Sequence, residues 1–397
     1  MLDHTYKRTL DFSLLCTDSS VTHHSTIDLS DWSYIRDCYK AIPNMPLPET
    51  SKLYLKNHLF SDSSLVLLEV RSPKVVLFRF PNGEVRSFVA TQGGFLLESP
   101  ENYLWDSAFP FIKSSGDSVA FELPQNLPVV SNQSSLFFAN HSSNFTHFLL
   151  DFWALLAGVL SRGQRKQAIP NEIPIFESPI SWQNEYFDLI GPFIPLYCHD
   201  FFQRANSSWI VFAPSSIVFP VFENKPLSLL WARKYMHQLF SQKAHQPVVK
   251  PLDGRIVFLT RNDSRRDRIR NISDIENLVI SMGGHVVDPV QFSVAQRLQL
   301  FSLPCVFIAE SSGSMNFSLF AHRLSRLIFL VDQSGLESVD LLVGGWIYGL
   351  GYASSSDFVC GSGWRALPGS PLGSAEFSLT KIRDLINYNI RAIASKL

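Results

Sequence analysis

Alternation of apolar and polar residues begins abruptly at Ser64. The runs SLVLLEV from Ser64, KVVLFRF from Lys74 and VRSFVA from Val85 each read as a strand. Pro81-Asn82-Gly83-Glu84 between the last two predicts a hairpin, because Asn-Gly accepts the positive φ that a tight turn needs. Residues 1–64 are polar, without a period that assigns them. After a loop-rich stretch with Pro110, Pro124 and Pro128, SSLFFAN (Ser134–Asn140) reads as a strand. The period then changes. From Asn144 to Gly158, Phe145, Phe148, Leu149, Phe152, Trp153, Leu155 and Leu156 cover most of a helix. Asn144, His147, Asp151, Ala154 and Gly158 follow at spacings of three and four, which places them in one stripe. EIPIFE (Glu172–Glu177) is the next strand, Trp182–Ile190 a short helix, and Trp209–Phe219 a pair of short strands around Pro214.

A helix over Leu227–Lys243 precedes a regular alternation. RIVFLT (Arg255–Thr260) reads as strand, Ser273–Met282 as helix stopped by Gly283-Gly284, and His285–Val287 as strand. Ser293–Phe301 is a helix, CVFIAE (Cys305–Glu310) a strand, Ser314–Arg323 a helix, and RLIFLV (Arg326–Val331) a strand. Strand and helix alternating through short connections predict a parallel sheet with helices on both faces. Such sheets take ligands at the carboxyl ends of their strands. Thr380–Leu397 closes the chain as a helix.

Composition adds bounds. At 397 residues, two domains are expected. Hydrophobic residues make up 46% and charged residues 17%, with 32 Phe, which supplies a large core and excludes a disordered chain. A net charge of −1 offers no global field to recruit nucleic acid. Five scattered cysteines without a CxxC pair fit a reducing compartment. The start, MLDHTYKRTLDF, lacks the apolar core of a secretory signal, and no apolar run approaches the roughly 20 residues of a bilayer span. The expected location is cytoplasmic, with the high Phe content leaving room for peripheral contact at the inner membrane.

Three places carry candidate chemistry. His147 and Asp151 are polar groups on a mostly apolar helix, which must pair, face an opening or cost stability. Between Thr260 and Asn271 five arginines directly follow a strand: Arg261, Arg265, Arg266, Arg268 and Arg270. On charge alone this is a solvated loop partnered by Asp263 and Asp267; at a strand's carboxyl end it becomes an anion site, since guanidinium forks match phosphate oxygens. Small residues lead from strand to helix at Glu310-Ser311-Ser312-Gly313-Ser314-Met315-Asn316, where backbone N–H groups form a phosphate cradle and Glu310 suits a sugar or ribose hydroxyl. Asn271 and Asn316 also read as turn and cap residues. No HExxH or DxD motif accompanies His23-His24, so no metal is expected, and GxSxG is absent.

These motifs, in this order, resemble glycosyltransferase family 61, of the capsular polysaccharide biosynthesis type. The resemblance runs over about Leu136–Val331. It is carried by Asn144-Phe145-Thr146-His147-Phe148-Leu149-Leu150-Asp151, by Arg261, Arg268 and Asn271, by Gly-Gly-His-Val-Val-Asp-Pro with Gln296, and by Glu310–Asn316. Ser312-Gly313-Ser314 stands where many members carry His-Gly-Ala, and Ile272 where many carry Glu. The resemblance implies an α/β protein of GT-B-like fold: two Rossmann-like domains facing a central cleft, with a β-rich N-terminal part. The expected domains are 1–235 on the acceptor side, 236–375 for the nucleotide-sugar, and a helix over 376–397 crossing back to the first.

The implied reaction is an inverting transfer of a hexosyl or pentosyl group from a nucleotide-sugar donor to a glycan or lipid-linked glycan, without metal or other cofactor. In bacteria such proteins build capsule or exopolysaccharide. His147 is the expected base with Asp151 fixing its tautomer; Asp151 as base with His147 positioning the acceptor is the other assignment. Asn144 belongs to the acceptor side. Arg261 and Arg268 would neutralise the diphosphate, helped by Ser312, Gly313 and Ser314, with Asn271, Glu310 and Asn316 completing the donor set. A pyruvyl or phosphate-group transferase is a second enzyme reading. A catalytically silent glycan-binding or scaffold subunit of a polysaccharide assembly complex is the alternative from another class.

Overall fold

The computed structural model describes residues 2–9, 17–28, 53, 64–81, 83, 85–97, 112–115, 118–124, 126–137, 148, 156, 172–175, 181–190, 194–221, 256–262, 268–310, 321–322, 324–331, 356–366 and 373–397. The chain divides into two units, Met1–Leu29 with Ser64–Glu223, and Ser30–Ser63 with Asn224–Leu397. The sequence reading sets one boundary at 235; contacts set it at Glu223/Asn224 and group Ser30–Ser63 with the second unit.

The first unit holds β1 (Leu2–Thr9), β2 (Val21–Asp28), β3 (Ser64–Arg71), β4 (Lys74–Arg79), β5 (Val85–Ala90), β6 (Phe95–Leu97), β7 (Ile112–Ser115), β8 (Ser118–Leu123), β9 (Val129–Phe137) and β10 (Glu172–Ile175). Then come α1 (Ser181–Ile190), β11 (Ile194–Tyr197), α2 (His199–Ala205) and β12 (Trp209–Val221). β4 and β5 pair antiparallel from Lys74↔Ala90 to Arg79↔Val85, and Gly83 in their turn has φ +89°, as the Asn-Gly step predicts. Beside this antiparallel region lies a parallel quartet in the order β11-β10-β9-β12. In chain order that is 3-2-1-4, half of a doubly wound sheet. Residues 138–171 connect β9 to its parallel neighbour β10, so they form the crossover that a parallel pair requires.

Trp209–Val221 is one strand, not the expected two around Pro214. β12 pairs with β4 up to Phe212 and with β3 from Ser216 onward, and its register against β9 shifts between Pro214 and Ser216. Proline lacks an N–H, and the gap between two partners is where a strand tolerates it. The polar first stretch also holds two strands that hydropathy does not reveal. β1 pairs with β8 and β6, while β2 pairs with β3.

The first unit is closed by a buried carboxylate. Asp18 accepts from the Ser20 N–H at 2.9 Å, the Ser20 hydroxyl at 2.8 Å and the Gly93 N–H at 2.8 Å, joining the turn before β2 to the turn between β5 and β6. A Cβ on Gly93 would meet Asp18 Oδ2 at 2.5 Å. Burial works to raise the Asp18 pKa, yet the bonds from Thr91, Ser20 and Gly93 outweigh it and hold the carboxyl below its ordinary 3.8.

The second unit alternates as expected from β13 to β15; the helices expected over Leu227–Lys243 and, apart from residues 321–322, over Ser314–Arg323 lie outside the described residues. It runs β13 (Ile256–Leu259), α3 (Ile272–Ser281), β14 (His285–Val287), α4 (Val294–Leu300), β15 (Val306–Glu310), β16 (Arg326–Val331) and β17 (Ser356–Cys360). The hairpin β18 (Ser362–Ala366) and β19 (Gly373–Glu376) precedes α5 (Leu379–Ala394). The five strands are parallel in the order β14-β13-β15-β16-β17. Ile256, Phe258, Val306, Ile308, Ile328 and Leu330 alternate onto one face, beneath Ile275, Leu278 and Val279 of α3 and Ile382, Ile386 and Ile393 of α5. Their neighbours Val257, Leu259, Phe307, Ala309, Leu327 and Phe329 are buried on the other face, where Phe301 after α4 meets Phe307 edge-on at 5.0 Å. Burial on both faces is why these strands read as continuous apolar runs.

Helix ends follow local chemistry. α3 stops at Gly283, φ +76°, and a Cβ on Gly284 would lie 2.7 Å from Val279 Cγ1 and 2.8 Å from Ile256 Cβ. α4 starts on a capping box: Ser293 Oγ accepts the Gln296 N–H at 3.2 Å, and Gln296 Oε1 accepts the Ser293 N–H at 2.8 Å. The closing helix, expected to reach back to the first domain, buries its apolar stripe in the second unit's own core. Its buried Asn389 donates to Asp357 at 2.6 Å and accepts from Arg326 at 3.2 Å, tying it to β17 and β16.

Two outcomes are expected. Gly284→Ala should lower stability by about 2 kcal/mol in urea unfolding, because the added methyl overpacks the α3–β13 contact. Asp18→Asn should destabilise the protein by about 2 kcal/mol at pH 7. Because the folded-state pKa is depressed, the carboxylate's contribution is present above its ordinary value and lost as pH falls through the lower, folded value. The gap between wild type and Asp18→Asn, followed by urea midpoint, should therefore close below about pH 4.

Candidate functional site

From β13 the chain passes to β14 on one side, then returns through α4 to β15 on the other. The connections that leave the carboxyl ends of β13, toward β14, and of β15, toward β16, thus diverge. A crevice opens at the carboxyl ends of these two strands, which lie side by side with Leu259 opposite Ala309. Here Phe258, Thr260, Arg261, Ile269, Ile272 and Glu310 line a small hollow open to solvent.

Each charged group arrives by a different route. Arg261 is half-buried and follows β13 directly. Glu310 is the last residue of β15, opposite Leu330 of β16. Arg268 returns from the loop and donates through Nη1 to Glu310 Oε1 at 3.3 Å. The two side chains are only 9% and 13% exposed, so the pair sits largely out of water. Behind them Thr260 donates its hydroxyl to Glu276 of α3 at 2.7 Å, and Asn262 donates to Asp288 at 3.1 Å.

The structure separates residues that the sequence groups. Arg270 turns to the hairpin, donating to the Ser362 carbonyl at 3.3 Å with Glu376 at 3.8 Å. Asn271 stands at the N-cap of α3, but its amide bonds the backbone of Phe377 instead of capping the helix. Neither Thr260–Glu276 nor the Phe377 partner was legible beforehand, since Phe377 lies over one hundred residues downstream. Ser312, Gly313, Ser314 and Asn316 lie outside the described residues, as do Asn144, His147 and Asp151. Beside His147, however, Phe148 is fully buried. Its ring meets Trp182, Tyr186 and Phe187 of α1 at 5.1, 5.5 and 5.9 Å. Leu156 is buried as well.

Arginines at this crevice offer fixed forks to anionic oxygens, while a carboxylate held by one of them accepts hydroxyls. Among the described residues, no helix is long and apolar enough to cross a membrane. No curated protein matches the chain. Residues 145–328 match the family model described as Glycosyltransferase 61, a span from the β9–β10 crossover to Ile328 in β16. That span contains Arg261, the Arg268–Glu310 pair and the His147–Asp151 stripe. The chain therefore carries a glycosyltransferase 61 domain, and its activity is that of a glycosyltransferase acting on a sugar donor and an acceptor.

Proposed function

We propose that this glycosyltransferase is inverting and metal-independent, moving a sugar from a nucleotide-sugar to a glycan or lipid-linked glycan in capsule or exopolysaccharide biosynthesis. The observation that carries the reading is the position of Arg261 and the Arg268–Glu310 pair at the β13–β15 switch point. A nucleoside diphosphate needs cationic forks for its pyrophosphate and an acceptor for its ribose hydroxyls; Arg261 and Glu310 border one hollow, with Arg268 bonded to Glu310.

In this reading the reaction proceeds in one displacement. A base takes the proton of the acceptor hydroxyl as its oxygen attacks the anomeric carbon. The bond from that carbon to the diphosphate breaks, and the diphosphate leaves with the electron pair. Arg261, aided by Arg268, stabilises the charge that accumulates there, the task a divalent ion would otherwise perform. His147 is the base, with Asp151 one turn away setting its tautomer. Phe148 and Leu156 mark the apolar face of that segment. On a helix the pattern then sets His147 and Asp151 roughly 60–100° to one side of Phe148.

The parallel quartet β11-β10-β9-β12 and the sheet β14-β13-β15-β16-β17 support a GT-B-type fold with one doubly wound sheet in each unit. The free thiols of Cys198, Cys305 and Cys360 favour a reducing, cytoplasmic setting.

Nucleoside diphosphates should raise the melting temperature of the full chain, while free glycans should not. Arg261→Ala should weaken nucleotide binding by about tenfold or more, read by calorimetry. His147→Ala should abolish transfer, measured by donor consumption, while leaving the nucleotide-induced shift intact. Full transfer by His147→Ala would remove the imidazole from the role of base.

A further inference from the structure

The run Arg268–Asn271 is held by a ladder made partly of side chain. Ile269 is buried and forms a parallel bridge with Ala375 of β19. The Arg270 N–H donates to the Ala375 carbonyl at 3.0 Å. One residue on, Asn271 Nδ2 donates to the Phe377 carbonyl at 2.8 Å, and the Phe377 N–H donates to Asn271 Oδ1 at 3.0 Å. The primary amide stands in for a peptide group, presenting one donor and one acceptor in strand register.

This use of Asn271 displaces its local alternative. It occupies the N-cap of α3, and its carbonyl accepts the Asp274 and Ile275 N–H groups, yet the side chain makes no cap. Phe377 is itself buried and precedes Ser378, the N-cap of α5. The clamp thus joins the starts of two helices that share one core.

Glu310 is placed by the sheet, through its register with Leu330. Arg268 lies outside that sheet; it stands one residue before the Ile269–Ala375 bridge and three before the clamp. A slip of one residue moves the chain by about 3.3 Å, enough to take its guanidinium out of reach of Glu310.

We infer that Asn271 is a positioning residue of the donor site: its amide, clamped to Phe377, sets where Arg268 meets Glu310. Asn271 then acts on the donor through Arg268 and does not touch it. This rests on the reading of the switch-point hollow as a nucleoside diphosphate site.

The test is a double-mutant cycle on the full chain. Affinities for ADP, GDP, CDP and UDP are measured by calorimetry for wild type, Arg268→Ala, Asn271→Ala and the double variant. Arg268→Ala and Asn271→Ala should each weaken the best nucleotide about tenfold, and the double variant should be no weaker than Arg268→Ala alone. Asn271→Ser, whose shorter hydroxyl does not span to the Phe377 backbone but can cap α3, should weaken binding as Asn271→Ala does; it replaces Asn271→Ala in the cycle if that variant does not fold. Penalties that multiply to about one hundredfold, or wild-type affinity in the Asn271 variants beside a weakened Arg268→Ala, would overturn the positioning role. If no nucleotide binds wild type, or Arg268→Ala binds like wild type, the donor-site reading falls and takes the positioning role with it.

Discussion

A parallel sheet cannot connect neighbouring strands by hairpins, so every strand must leave by a crossover. In the order β14-β13-β15-β16-β17, the first crossover goes one way and the later ones go the other. Between β13 and β15 the connections that leave the two strands part. The rest of the second unit depends on that constraint. Both faces of the sheet are buried and offer a ligand nothing but hydrocarbon. Polar chemistry is confined to the strand ends, and there the opening lies where Arg261, Arg268 and Glu310 gather.

The Arg268–Glu310 pair shapes the electrostatics of this opening. Two charges so little exposed pay a desolvation cost that their mutual attraction offsets only in good geometry. Such a pair is a weak source of stability and a strong source of order. In the proposed donor site it fixes the direction of a guanidinium and a carboxylate in advance, which would lower the cost of binding. Arg270, two residues away, spends its charge on the hairpin instead. The arginine run is therefore a set of residues sent to different duties by the backbone that carries them.

The first unit repeats the same logic beside a larger antiparallel region. β9, β10, β11 and β12 form a parallel quartet whose first crossover contains the His147–Asp151 stripe. Within that connection Phe148 packs among the rings of α1. β12, the longest strand described, serves both halves: one edge pairs in parallel with β9, the other antiparallel with β4 and then β3.

Elements whose reasons are local were legible in the chain itself. The Asn82-Gly83 hairpin, the Gly283-Gly284 stop, the Ser293 start of α4 and the buried strands IVFL, VFIAE and RLIFLV each follow from backbone freedom, capping or double-faced burial. The placement of Arg261 just after β13 and of Glu310 at the end of β15 was also recognisable, because each follows a buried apolar run. Pairings over long separations were not. β1 is polar and exists because β8 and β6 complete its ladder; Pro214 stays within one strand because β12 changes partner there. Asn271 looks like a cap until Phe377 arrives from more than one hundred residues away to claim its amide. Local residue chemistry determines what a segment is able to do; only the folded chain decides which partner stands within hydrogen-bond reach, because that choice is made by packing and not by sequence neighbours.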